Sequence, residues 1–409
     1  MEKPHALLLL ILLLLALTLP SLQQRISAVD LRALVSIKNS LTDVPSAHAR
    51  ASFFSTWDFA APDPCSTFAG ITCSSLGRVT TLTLGTGLAD SPGLAGSLPP
   101  AVADLSELTQ LILYPGIVTG PIPTQLGRLT SLRVLSLTNN RLTGQIPATL
   151  SLLSNLHTLD LSYNRLAGPV PPGLTRLPLL KVLILASNTI SGEIPAVESQ
   201  LLHLDLKSNR LSGPLPPSLP STLRYVSLAE NGLAGPIDGL DSLSELVHLD
   251  LSMNRFSGAL PASLFRTSLP SLLLQRNNLS GRVPSVVPES LPSYGEGSIV
   301  DLSHNSLTGE LSPILAGVES LYLNNNRLIG TVPREYVKSV YLGTTTTLYL
   351  QHNYLHTFPV EPGSALPDTV SLCLSYNCMR PPVGLAACPA SSGTELSRPA
   401  SQCSVFHYG

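Results

Sequence analysis

Four aspartates, Asp160, Asp205, Asp250 and Asp301, occupy one slot of a recurring L-x-L motif, at every second copy. Carboxylates held at a fixed separation are the equipment of glycoside hydrolysis. Two copies apart on a sheet is about 9–10 Å, which overlaps the ~6.5–9.5 Å of inverting enzymes. An acid catalyst also needs a pocket that raises its pKa, and the sequence gives no sign of one. We read the row as solvated groups that keep an exposed sheet soluble, and expect no enzymatic activity. His157, His203 and His248 lie on the same motif copies as three of these aspartates. A metal needs ligands converging within ~2.0–2.2 Å of one ion. His203 and His248 share one slot two copies apart, ~9.6 Å, so no metal site is expected, and no cofactor. The histidines are expected to pair with their Asp neighbours at the surface. Val35-Ser36-Ile37-Lys38 matches a kinase strand only superficially, with no glycine-rich loop before it and no H-R-D or D-F-G after it.

The elements that carry these residues follow from a repeat. The segment LRVLSLTNNRLTGQIP, beginning at Leu132, shows it in full as L-x-x-L-x-L-x-x-N-x-L-x-G-x-I/L/V-P. Its Asn recurs at Asn140, Asn164, Asn188, Asn209, Asn231, Asn254, Asn277, Asn305, Asn326, Asn353 and Asn377, in steps of 21 to 28 residues. Two earlier copies carry Gly87 and Gly116 in that place. The period predicts a leucine-rich-repeat solenoid of about 13 coils, an α/β repeat fold with a parallel β-sheet on the concave face. Leu135-Ser136-Leu137 alternates as a short strand does, leucines inward and serine outward. Stacked at ~4.8 Å, thirteen strands make a rod about 58 Å long. The Asn amide sits in a tight bend and satisfies backbone groups of its own and neighbouring coils. The Gly relieves backbone strain, and the Pro ends a second extended stretch where no ladder donor is needed.

Composition agrees. The sequence has 82 Leu among 409 residues, an excess that a repeat core explains. A net charge of −2 gives no electrostatic footprint for nucleic acid. Residues 6–19 form one apolar run, too short to span a membrane and right for a secretory signal. We expect residues 1–23 to be a cleaved signal peptide and the protein to be extracellular, with membrane attachment only if that signal is retained. In that compartment Cys65, Cys73, Cys373, Cys378, Cys388 and Cys403 should form disulfides. Between Cys73 and Cys373 lie 299 residues free of Cys, so Cys65 and Cys73 pair almost by elimination. The other four allow three connectivities. The expected organisation is a signal at 1–23, an N-terminal cap at 24–76, repeats at 77–379, and a C-terminal cap and tail at 380–409. The cap should begin with an amphipathic helix using Leu31, Leu34, Val35 and Ile37, with Asp30 as its N-cap.

These motifs, D-x-x-A-L-x-x-x-K-x-x-L-x-D, Trp57 and D-P-C…C leading into the L-x-G-x-I-P repeat, resemble the plant extracellular type of leucine-rich-repeat protein. The resemblance covers about residues 28–380. Phe68 departs from it, standing where the cap has a second Trp, and no transmembrane or kinase part is visible. The resemblance implies a non-catalytic recognition protein of the apoplast or cell wall, in signalling or defence. Its partners would be a peptide, a protein or a wall glycan, and a membrane receptor kinase could act beside it. An alternative is an inhibitor of a wall hydrolase, like the polygalacturonase inhibitors, which have fewer coils and a doubly disulfide-linked cap.

On this scaffold the ligand would meet the concave face. The candidate residues there are Tyr114, Asp160, Tyr163, Asp205, Lys207, Tyr225, Glu230, Asp250, Arg276, Asp301, His304, Tyr322 and Tyr349, with Tyr376 in a matching slot. Tyr offers apolar area with a polar tip, which suits protein-binding surfaces. The R-x-R pair by which related receptors read a peptide carboxylate is missing, since Arg276 stands alone. Asn278-Leu279-Ser280 is a sequon, so Asn278 is expected to be glycosylated. Residues 89–97 and 286–298 lengthen two coils, and the second of these is a candidate partner loop.

Overall fold

A computed structural model describes residues 26–44, 52–61, 63–85, 93–285, 294–360, 363, 365–382, 388, 393 and 395–404. The expected signal peptide therefore lies outside the described residues. Thirteen parallel strands, one per coil from Val79–Leu84 to Ser371–Cys373, form the expected concave sheet. A short antiparallel strand, Ile71–Cys73, extends it at the cap end. Register is constant across coils: His203 faces Tyr225, which faces His248. The leucines between these outward positions are buried and join one continuous core that runs the length of the molecule.

Sequence reading anticipated one sheet; the solenoid has two. Residues that follow each Asn form a second sheet of thirteen strands, parallel apart from its first pair, Leu41–Asp43 with Leu94–Ser97. Residues 94–97, expected as part of a loop insertion, are thus a strand, because the cap needs an edge to pair with. Here each coil is staggered by two residues from the last, as in Thr143 beside Arg165.

The asparagines do what their register implies. Asn254 Oδ1 accepts the Leu233 N–H of the preceding coil at 3.0 Å, and its Nδ2 donates to the Leu228, Leu251 and Ser252 carbonyls. The acceptor half recurs at all eleven Asn, from Val118 N–H on Asn140 to Leu355 N–H on Asn377. The residue before each Asn is held left-handed, with φ between 53° and 59° in all eleven coils. Asn139, Asn325, His304 and His352 are of residue types enriched in this region, and the other seven are not. The hydrogen-bonded ladder overrides that local cost. Gly144, in the G-x-I-P step, has φ +80°, a conformation without penalty only for Gly.

The caps close the ends, with one correction. Ser27, not Asp30, caps the helix Ala28–Ser40. Asp30 is fully buried, accepts the Val79 N–H at 2.7 Å and pairs with Arg78 at 3.0 Å, tying the cap to the first coil. Ala33, Leu34 and Ile37 face the core, whereas Val35 is exposed. Phe68 stacks on buried Trp57 at 5.2 Å, filling the place of the second Trp. The disulfides are Cys65–Cys73, Cys373–Cys388 and Cys378–Cys403. At the far end the Arg398 guanidinium lies between the rings of Tyr354, at 4.0 Å, and Tyr376, at 4.6 Å.

Candidate functional site

The in-register concave strands bring three rings together that sequence reading had treated separately. His203, Tyr225 and His248 stack face to face, with centroids 4.2 and 4.3 Å apart and planes within 14° and 8°. Each occupies the first outward position of its strand, six residues before its Asn. Reading that column down the repeat would have exposed the ladder. His248 Nδ1 is 2.8 Å from Ser271 Oγ, and His157 Nδ1 meets the Asn155 carbonyl at 2.8 Å. The expectation that the histidines pair with aspartates is therefore corrected: stacking and neutral partners engage them.

The aspartate row is also different from expectation. Each carboxylate turns back to accept the N–H two residues on: Ser162 for Asp160, Lys207 for Asp205, Ser252 for Asp250 and Ser303 for Asp301. They brace the exit of the strand, and Asp205 is only 7% exposed. A freely solvated row is thus replaced by half-buried, hydrogen-bonded carboxylates. Burial pushes the Asp205 and Asp301 carboxyls above the usual range. It also holds His203 and His248 below the ordinary histidine value, although Asp205 and Asp250 pull the other way. Lys207 Nζ reaches Asp205 at 3.9 Å. Between these carboxylates the Ser227 hydroxyl is buried and has no partner among the described residues.

The remaining candidates fall into two further places. Tyr322 and Tyr349 form an edge-to-face pair at 5.3 Å on the C-terminal strands, and Tyr349 Oη is 3.1 Å from Ser371 Oγ. Tyr163, Glu230, Arg276, His304 and Tyr376 are not on strands; they are left-handed residues at the turn and form a rim beside the sheet. On that rim Glu230 accepts from Ser208 Oγ at 2.8 Å, and His304 contacts Asn325 at 3.3 Å. Burial and then the Arg276 charge hold His304 below the ordinary value. Tyr114 stands alone toward the N-terminal end, 38% exposed. Asn278 is exposed at the start of a strand of the second sheet. Of the 286–298 segment, residues 286–293 lie outside the described residues, while Tyr294 is buried and helps wall a cavity of about 310 Å³ with Glu296, Glu319 and Thr346. Among the described residues no group of three His, Cys, Asp or Glu converges to hold a metal, and no helix is long and apolar enough to cross a membrane.

A stacked solenoid with parallel concave strands and an asparagine ladder defines a leucine-rich-repeat protein. Family models agree: the leucine rich repeat N-terminal domain matches residues 27–74, and the leucine rich repeat matches 131–153, 155–177, 200–221 and 245–266. No curated protein sequence matches. Among solved structures the chain is similar to a plant peptide hormone receptor, RGFR1, solved in complex with RGF2, at 26% identity and TM-score 0.54, over 70% of this chain and 54% of that one. It is equally similar to a plant ice-binding protein, at 25% identity and TM-score 0.54, over 84% of this chain and 99% of that one. The TDR receptor shares the fold at 24% identity and TM-score 0.50. This chain thus spans about half the length of the hormone receptor it matches. It carries a leucine-rich-repeat N-terminal domain followed by leucine-rich repeats, and is similar in fold to plant receptor ectodomains.

Proposed function

We propose that the chain is a non-catalytic recognition protein that binds an extended peptide or protein segment along its concave sheet. The observation that carries this reading is the His203–Tyr225–His248 ladder, flanked by Asp205, Lys207 and Asp250. It concentrates aromatic area, hydrogen-bonding edges and both signs of charge on three adjacent strands, with the three rings half-buried. Binding surfaces are enriched in such side chains. Similarity to a peptide-hormone receptor supports the same ligand class. The organisation into signal, cap, repeats and C-terminal cap, and a role in the apoplast or wall beside a receptor kinase, belong to this proposal.

Selection of a displayed random peptide library on the immobilised protein tests it. Enriched peptides should lose at least about tenfold in affinity, some 1.4 kcal/mol, with Tyr225→Ala or Lys207→Ala. Equal affinity for both variants would remove the ladder from the site. A second reading rests on the ice-binding neighbour, matched over 99% of its length. One outward column of the second sheet carries Thr119, Thr143, Ser191, Ser212, Ser257, Ser280 and Thr308, interrupted by Ala167 and Ala234. If that column binds ice, the purified chain should slow ice recrystallisation, and Thr143→Asp with Ser212→Asp should abolish the effect.

A further inference from the structure

We propose that the outer face of the second sheet is a docking strip for a linear acidic polysaccharide, a chain of uronic acids. This surface is separate from the concave site. Arg141, Arg165, Arg210 and Arg255 each follow the ladder Asn of their coil and begin a strand of this sheet. All four are exposed. Among the described residues the ion pairs are Arg78 with Asp30 and Glu107, Arg176 with Glu198, and Lys207 with Asp205, so none of the four is neutralised in that way. The six strands from Arg141–Gln145 to Arg255–Gly258 contain no carboxylate, and Glu193 stands just past the end of one of them, Thr189–Gly192. The coils between the arginines offer Thr189 and Gly232 in the same slot.

The stagger of the sheet gives the row its shape. Neighbouring strands are ~4.8 Å apart and offset by two residues, ~6.6 Å, so equivalent positions advance ~8 Å per coil. The guanidiniums therefore start from points about 8, 16 and 16 Å apart, a line of roughly 40 Å. The same stagger sets a hydroxyl beside three of them: Thr119 beside Arg141, Thr143 beside Arg165 and Ser191 beside Arg210. Ala234 takes that place beside Arg255. A guanidinium fork matches a carboxylate in two parallel hydrogen bonds, and a hydroxyl donates and accepts as a sugar hydroxyl requires. One small anion cannot occupy a line this long, whereas an extended polymer with a carboxylate on every unit can. With a net charge of −2, the whole molecule does not attract polyanions, so attraction is confined to the row. Asn278, in the same slot of the next coil, ends the row with an exposed sequon.

Binding of the secreted full chain to immobilised, fully de-esterified polygalacturonate tests the proposal, with its methyl ester as the uncharged control. The acid form should be retained and the ester not, and retention should weaken steeply with added salt. Joint replacement Arg165→Gln, Arg210→Gln and Arg255→Gln should lower affinity at least tenfold with an unchanged circular dichroism spectrum and melting curve. If that triple variant is unstable, Arg210→Gln alone should lower affinity measurably. Tyr225→Ala should bind as wild type, which separates this strip from the concave site. Equal binding of the ester, unaltered binding by the glutamine variants, or arginine-dependent binding to phosphatidylserine vesicles in place of the polyuronate would each overturn it.

Discussion

Replacing Asn254 with Ala removes one rung of the ladder that holds the coils in register. Asn254 is 9% exposed and makes four hydrogen bonds, one accepted from Leu233 N–H and three donated to the Leu228, Leu251 and Ser252 carbonyls. Alanine orphans the Leu233 N–H, while the three carbonyls each keep a second donor: Asn231 Nδ2 on Leu228, Asn277 Nδ2 on Leu251 and the Glu230 N–H on Ser252. An orphaned buried polar group costs about 1–3 kcal/mol. The Leu233 N–H carries that penalty, and each of the three carbonyls loses one of its two hydrogen bonds, about 0.5 kcal/mol apiece at the low end of a net bond's worth. The expected loss is about 3–4 kcal/mol. Asn278→Ala, one coil on and exposed, should stay within about 0.5 kcal/mol. Urea unfolding followed by far-ultraviolet circular dichroism measures both. Trp57 lies in the N-terminal cap, so its fluorescence reports on that end separately. A loss below about 1 kcal/mol for Asn254→Ala would refute the reasoning that these amides hold the solenoid together.

Asp30→Ala should cost about 2 kcal/mol, since it orphans the buried Val79 N–H and leaves Arg78 with only Glu107 and Ser106; a red shift of Trp57 emission at lower urea than wild type would show the cap detaching first. The ladder histidines should titrate below 6.5, because burial disfavours their charged forms despite Asp160, Asp205 and Asp250 nearby and with Lys207 opposing protonation. With folded values depressed, their contribution to stability is present above 6.5 and is lost as pH falls through 6.5 toward the folded values. NMR titration of the His203 and His248 ring protons checks this, and a value above 6.5 for either would contradict it. Joint Cys378→Ser and Cys403→Ser opens a 25-residue link, worth about 3.5 kcal/mol of chain entropy. Proteolysis should then release the C-terminal segment while the central coils persist, since each coil depends mainly on its neighbours.

The coil count, the parallel concave sheet and the work of Asn140 to Asn377 were legible because the same residue meets the same environment eleven times over. Repetition turns a weak local signal into a firm one. The aspartates were misread because L-D-L-S specifies two things at once, an outward slot and a carboxylate within reach of the N–H two residues on. The second decides their burial. The His203–Tyr225–His248 ladder was illegible along the chain, since its members are 22 and 23 residues apart and meet only through strand register. Asp30 misled for a similar reason: it reads locally as a helix cap, while its partners, Arg78 and Val79, are 48 and 49 residues away. Tyr163, Arg276 and His304 were placed on the sheet because the position before Asn was taken as a strand position. It is a left-handed turn, which Tyr and Arg do not favour and for which His has only a weak preference.

The central claim is that ligand meets the concave ladder, and site-directed photo-cross-linking tests it most directly. A benzophenone amino acid placed at Tyr225, at Tyr349 or at the Gly232 slot of the second sheet would be irradiated in apoplastic wash fluid. The account predicts a discrete adduct at Tyr225, removed by excess unlabelled wild-type protein and absent at the Gly232 slot. No competed adduct at Tyr225, or the same adduct at Gly232, would contradict it.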